Sequence, residues 1–219
     1  MVIPQDASIP ASRAIQTHYD YVQLLQLVEE KGKALYGPQY AIHDTDRAPV
    51  AKLITYFTAD EAVAPQEGIQ LHKGLLLCGP VGCGKSSLMN IFRSLINEAY
   101  SYGIVSCRNL VTRFSESGYG IIHRYSCLPG TAALAWNCYC FDDLGLEPKG
   151  QFYQNGCNVM AEILFNRYEA FVHRNIVTHL TTNLGPAELE ETYGNRLRSR
   201  LREMLNLVTF DEHSPDKRR

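Results

Sequence analysis

The sequence predicts an α/β fold: three layers, with a parallel sheet between helices and a small helical region ahead of it. Three observations predict it. From residue 73 onward, short continuous apolar runs alternate with amphipathic stretches, as in sheets buried on both faces. The first of these runs leads directly into a glycine-rich loop and then a helix. The chain has 219 residues, 45% hydrophobic and 20% charged, which suits one α/β domain with a small appendage and excludes wholesale disorder.

Residues 1–12 read as a loose leader containing Pro4 and Pro10. Between Thr17 and Leu35, residues Tyr21, Leu24, Leu25 and Val28 fall at helical spacing, and Gly37-Pro38 ends that helix. A second helix is expected from near Asp46, with Val50, Leu53, Ile54 and Phe57 on one side. Residues 60–72 are polar, contain Pro65 and Gly68, and read as a loop. This divides the chain into a helical region at 1–72, a candidate partner-binding part, and a core at 73–219.

Within the core, Lys73–Cys78 is the first strand and Ser86–Tyr100 the helix after it, with Leu88, Ile91, Phe92, Leu95 and Ile96 inward. Gly103–Cys107 is the second strand, and Asn109–Tyr125 is helical with interruptions at Gly118 and Gly120. Asn137–Phe141 is the third strand and Cys157–His173 a long helix. Asn175–Leu180 is the fourth strand. A short helix follows Pro186, another spans Asn195–Met204, and Asn206–Phe210 is a fifth strand.

The segment Gly79-Pro80-Val81-Gly82-Cys83-Gly84-Lys85-Ser86, with Ser87 adjoining, matches G-x-x-x-x-G-K-[ST] between a strand and a helix. Glycines there let backbone N–H groups approach phosphate oxygens, and the helix start adds partial positive charge. Lys85 is expected on the β- and γ-phosphates of ATP, and the Ser86 hydroxyl on Mg²⁺. The plain alternative is a glycine turn ahead of a helix.

Two carboxylates, Asp142 and Asp143, end the third strand. Such a pair is costly unless a cation sits beside it. Asp142 is expected to hold Mg²⁺ and Asp143 to orient or deprotonate the attacking water; the alternative is a turn cap. Beyond the fourth strand, Asn183 can hold that water against the γ-phosphate, although asparagine equally suits a turn before Gly185-Pro186. Along Tyr193–Arg202 and just beyond it, Leu197, Leu201 and Met204 form a core stripe. Arg196 and Arg200 stack on one flank, and Arg198 and Arg202 on the other. Spacing leaves two readings open: a solvated basic face, or an arginine finger reaching a neighbouring subunit's γ-phosphate.

The other signals are weaker. With 21 basic and 23 acidic residues, any nucleic-acid contact must be local. Arg108, Arg113, His123 and Arg124 with Tyr119 and Tyr125 form either a basic-aromatic face for single-stranded nucleic acid or a solvated helix face. Cys138 and Cys140, with Cys127 and Cys157 nearby, read as buried apolar cysteines, since no C-x-x-C pair is present. The seven cysteines read as reduced thiols. The start MVIPQDASIP carries no basic flank or apolar signal core, and no apolar run nears the roughly 20 residues of a membrane helix, so a cytoplasmic, non-membrane protein is expected. Lys217-Arg218-Arg219 reads only as a frayed end.

Taken in order, the glycine loop, Asp-Asp-Leu-Gly, Thr-Asn and Gly-x-Arg-x-x-Ser-Arg-Leu resemble the AAA+ ATPases. The closest likeness is to the DnaC/IstB branch of bacterial helicase loaders and transposition-helper ATPases. Gly79–Ser86 looks like Walker A, Cys138–Asp143 like Walker B, and Asn183 like sensor 1. Arg196 and Arg200 look like the box VII arginines, which implies self-association through a finger in trans. The resemblance covers about residues 73–210. It makes Arg108–Tyr125 the initiator-specific helical insertion, associated with single-stranded DNA and subunit packing. Little sequence follows Phe210, so no C-terminal lid with a sensor 2 arginine is expected. The implied function is ATP binding and hydrolysis by a protein that assembles on DNA and loads or recruits a replicative helicase; the alternative is a transposase partner and target-DNA marking. A P-loop small-molecule kinase fits less well, because Asp143 and the arginine helix count against it, as does a binding module that does not hydrolyse nucleotide.

Overall fold

The computed structural model describes residues 19–97, 101–126, 138–153 and 155–217. The leader at 1–12, the helix start at 17–18, Tyr100, Cys127, Asn137 and Arg218-Arg219 lie outside the described residues. Five parallel strands form the sheet: β1 (Gly74–Cys78), β2 (Gly103–Ser106), β3 (Tyr139–Leu144), β6 (Thr178–Thr182) and β7 (Leu205–Thr209). Their spatial order is β2-β3-β6-β1-β7. Strands β4 (Gly150–Phe152) and β5 (Asn155–Cys157) make a separate antiparallel hairpin.

One face of the sheet carries α1 (Tyr21–Tyr36), α2 (Arg47–Phe57) and α3 (Lys85–Leu95). The other carries α4 (Cys107–Ser117), α5 (Gly120–Tyr125), α6 (Val159–Arg174) and α7 (Pro186–Met204). Alternation along β1 sends Leu75 and Leu77 to the first layer and Leu76 to the second. Val28 of α1 and Val50, Leu53 and Ile54 of α2 share one core with Leu75, Leu77, Leu88 and Phe92. Phe57 stacks on Phe92 at 4.9 Å, joining α2 to α3.

Four departures from the sequence reading have physical causes. Strand β6 runs over Thr178–Thr182 rather than Asn175–Leu180. Asn175 adopts φ 54° as the C-cap of α6, which delays the strand. The threonines are buried because each hydroxyl has a partner: Thr178 Oγ1 accepts from Arg167 Nε at 2.6 Å, and Thr182 Oγ1 donates to the Leu144 carbonyl at 2.7 Å. Strand β3 begins at Tyr139 and continues through both aspartates to Leu144. The hairpin β4–β5 lacks the apolar alternation that would announce it, being polar and glycine-containing. Helix α6 starts two residues late, where the Asn158 side chain accepts from the Ala161 N–H at 3.0 Å. The break expected between the two last helices is present: α7 is interrupted at Gly194, with φ 81° and ψ 157°.

Two buried polar residues brace the sheet. The Arg167 guanidinium, fully buried, lies over the Tyr139 and Phe141 rings and also donates to the Val177 carbonyl at 2.9 Å. His179 Nδ1 accepts from the Leu75 N–H at 3.2 Å, and Tyr102 packs edge-on at 4.9 Å. Burial, helped by the Arg167 charge, pushes the His179 pKa down to about 3. The native state therefore holds His179 neutral where the unfolded chain would protonate it. Its contribution to stability should be complete above the ordinary histidine pKa, about 6.5, and be lost progressively as pH falls toward 3. In urea titrations the advantage of wild type over His179→Asn should shrink steadily from pH 7 to pH 4. A constant difference would show that His179 is not held neutral.

Candidate active site

The loop between β1 and α3 needs glycine at two positions. Gly82 has φ 83° and Gly84 φ 100°, conformations that carry a steric cost for residues with a Cβ. Cys83, between them, is buried, and its N–H points across the loop to the Pro80 carbonyl at 3.4 Å. Val81 sits exposed at the tip. Ser87, partly buried, continues the first turn of α3.

Lys85 is the first residue of α3 and only 4% exposed. Its Nζ donates to the carbonyls of Gly79 and Pro80, both at 2.8 Å, and to Asn183 Oδ1 at 2.6 Å. None of these oxygens carries a charge. An ammonium removed from water without a counter-ion is expensive, and among the described residues no carboxylate forms an ion pair with it. The sheet places Asn183 here: Cys78 pairs with Thr182, which brings the residue after β6 level with the loop.

The aspartates occupy an irregularity in the β3–β6 pairing. Phe141 pairs with Leu180 and Leu144 with Thr182, so Asp142 and Asp143 together oppose Thr181. Such a bulge re-aims side chains. Asp143 takes φ 58°, a left-handed conformation tolerated by aspartate. Thr181 fills the gap: its Oγ1 accepts from the Asp143 N–H at 2.9 Å and donates to Asp142 Oδ1 at 2.6 Å. The same Asp142 oxygen accepts from Ser86 Oγ at 2.7 Å. Hydroxyl and carboxylate thus meet beside the glycine loop, a hard-oxygen donor set that fits Mg²⁺. A glycine loop at a helix N-terminus and an ammonium with no carboxylate ion pair among the described residues fit a phosphate chain.

Thr181 is a site residue whose role spacing does not reveal, because it depends on the register of two strands distant in sequence. Glu147 is another. Its carboxylate accepts from the Gly145 N–H at 2.7 Å and from the Tyr193 hydroxyl, linking the turn after β3 to the residue before the Gly194 break. Burial, with the neighbouring Glu147 charge, pushes the Tyr193 pKa up.

Arg196 and Arg200 share one flank, as their spacing requires, and that flank lies along α6. The Arg200 guanidinium sits 4.7 Å from the Tyr168 ring centre and 5.0 Å from that of Phe165, and pairs with Glu169 at 3.4 Å. Arg196 lies 5.8 Å over Phe165. Neither arginine bonds to the glycine loop of its own chain. Arg198 is tied to Glu190 at 2.5 Å.

The basic-aromatic face is narrower than the sequence suggests. Tyr125 is 5% exposed, packs on Tyr139 at 5.2 Å, and its hydroxyl accepts from Arg113 at 3.1 Å. It therefore belongs to the core, and cannot stack on a base. Tyr119, Arg108, Arg113, His123 and Arg124 remain exposed. Cys140 of β3 is buried in the core under α1–α3, Cys138 packs against that core while partly exposed, and burial pushes the Cys140 thiol well up.

No family model and no curated protein matches the sequence. Solved structures do match the fold. The crystal structure of the DnaC helicase loader aligns with a TM-score of 0.53 and 17% identity, over 80% of this chain and 95% of that one. The crystal structure of DnaI aligns with a TM-score of 0.54 and 18% identity, over 78% of this chain and 88% of that one. AMPPCP-bound DnaA from Aquifex aeolicus aligns with a TM-score of 0.50 and 15% identity, over 78% of this chain but 48% of that one, so this chain spans about half its length. The five-stranded parallel sheet with its two helical layers matches the fold of AAA+ P-loop NTPases, and helicase loaders and a replication initiator are among its structural neighbours.

Proposed function

We propose that this chain binds ATP with Mg²⁺ at Gly79–Ser87, hydrolyses it, and uses the cycle to assemble on single-stranded DNA and load or recruit a replicative helicase. The observation that carries the reading is the buried Lys85 ammonium, held by three neutral oxygens at the mouth of a glycine loop. A phosphate would supply the missing negative charge.

In this reading the loop amides and Lys85 bind the phosphates. Ser86 and Asp142 would hold Mg²⁺, which would supply positive charge to neutralise the phosphates. Asn183, one hydrogen bond from Lys85, orients the attacking water, and Asp143 accepts its proton. The backbone bond from Asp143 to Thr181 fixes where that carboxylate starts from. Arg196 and Arg200, which rest along α6 and make no bond to their own loop, would complete the site of an adjacent subunit. Exposed Arg108, Arg113 and Arg124 with Tyr119 supply a local basic surface for single-stranded DNA, in a chain whose net charge is −2. Val22, Leu27 and Leu35 are exposed along α1, which supports a partner contact in residues 1–72. That the DnaC structure is a helicase loader favours a helicase over a transposase as that partner. No helix of the described residues is long and apolar enough to cross a membrane.

Lys85→Ala should abolish binding in titrations with a fluorescent ATP analogue; unchanged affinity would remove the nucleotide reading. Asp143→Asn should bind the analogue normally while turnover falls about 100-fold or more, the usual contribution of a general base. A loss below about tenfold would take the base role from Asp143. The finger is tested by mixing. Lys85→Ala and Arg200→Ala proteins, each inactive alone, should recover ATPase activity together, and full activity of both Arg196→Ala and Arg200→Ala at every concentration would end the trans-subunit model.

A further inference from the structure

The segment after β7 does not leave the molecule. It runs along the outer side of the glycine loop. The Phe210 N–H donates to the Cys78 carbonyl at 2.8 Å, and Phe210 Cβ lies 2.7 Å from where a side chain on Gly79 would begin. A turn closed by the Ser214 N–H on the Asp211 carbonyl at 3.0 Å then brings Asp216 against Gly82. Lys217 makes three anchoring bonds. Its N–H donates to the Gly82 carbonyl at 3.1 Å, and its Nζ donates to the Cys83 carbonyl at 2.7 Å and to Asp46 Oδ2 at 2.5 Å.

These bonds fix the orientation of two successive peptide planes. In a trans peptide the carbonyl and the following N–H point in opposite directions. Holding the Gly82 and Cys83 carbonyls outward therefore turns the Cys83 and Gly84 N–H groups inward, as the Cys83 N–H bond across the loop shows directly. With φ 83° and 100°, both flanking glycines have ready access to other conformations, so the loop does not hold this shape by sterics alone. The anchor is itself well held. Asp46 is 1% exposed and caps the turn before α2 by accepting from the His43 N–H at 3.2 Å, and its Oδ1 has no hydrogen-bond partner among the described residues. Lys217 is its counter-ion, and the pairing neutralises both charges. Lys217 is thus not a second phosphate-binding cation.

We propose that residues 211–217 form a strap that sets the shape of the phosphate loop, with Lys217 as a positioning residue acting through the Gly82 and Cys83 carbonyls. The inference rests on the nucleotide reading of that loop and adds a determinant from outside it. It also makes the helical region at Asp46 and the glycine loop two ends of one ion-paired contact.

The test uses the full chain. In nucleotide-free protein, amide hydrogen exchange at Cys83, Gly84 and Lys85 should accelerate in Lys217→Ala and return toward wild type in Lys217→Arg. Affinity for a fluorescent ATP analogue should fall on the order of tenfold, the equivalent of about one charge-assisted hydrogen bond. Turnover at saturating ATP should stay within about twofold, as expected of a residue that shapes binding and touches no reacting atom. Because Lys217→Ala strands a buried carboxylate, the double variant Asp46→Asn/Lys217→Met serves as the control. It should keep wild-type thermal stability more closely and still bind weakly. Full recovery of affinity there would overturn the proposal by tracing the loss to the stranded Asp46 charge. Unchanged exchange in Lys217→Ala would overturn it as well. If wild type shows no affinity that Lys85→Ala removes, the nucleotide reading fails, while the exchange result still decides whether the strap shapes the loop.

Discussion

Asp142 Oδ1 accepts hydrogen bonds from Ser86 at the start of α3 and from Thr181 on β6, and the candidate site is arranged around that junction. Three segments far apart in sequence converge on one carboxylate oxygen because the sheet order sets β3 beside β6 and β6 beside β1. The extra residue in β3 is what allows it. Without the bulge Thr181 would face a single aspartate, and the second carboxylate would follow the ordinary alternation of the strand. Thr181 instead satisfies the freed backbone N–H of Asp143 and holds Asp142 at the same time, so both acids are positioned by one hydroxyl.

The glycine loop is supported on both sides. Inside, Lys85 draws the Gly79 and Pro80 carbonyls and Asn183 together, so the ends of β1 and β6 are tied through an ammonium. Outside, Lys217 draws the Gly82 and Cys83 carbonyls toward Asp46. Two lysines thus govern one loop with different charge environments: Lys217 is neutralised by a buried aspartate, and Lys85 has neutral partners and no carboxylate ion pair among the described residues. That contrast separates the lysine suited to an anionic ligand from the one that shapes the backbone. It also explains why α1 and α2 matter to a site they do not enter, since they share a core with α3 and carry the Asp46 anchor.

The parallel sheet was legible because strands buried on both faces need continuous apolar residues, as in Gly74–Cys78. The loop was legible because its chemistry is local: glycines, lysine and serine must be neighbours in sequence to wrap one phosphate chain. Strand β6 was misplaced because its buried residues are threonines and a histidine, acceptable there only through partners on α6, β3 and β1. Tyr125 was assigned to a surface by its basic neighbours, although Tyr139 and Arg113 hold it in the core.

The sequence by itself determined the α/β class, the glycine loop, the acidic pair and the shared flank of Arg196 and Arg200. Each depends on a fixed spacing along one element or one turn. Tertiary structure alone decided the register that sets two aspartates against Thr181, the bed of aromatic rings under Arg200, and the path of Lys217 to Asp46 across 171 positions. Those contacts join residues with no periodic relation in the chain. They come together only when the strand order closes the sheet and the low-dielectric interior leaves each buried polar group in need of a partner.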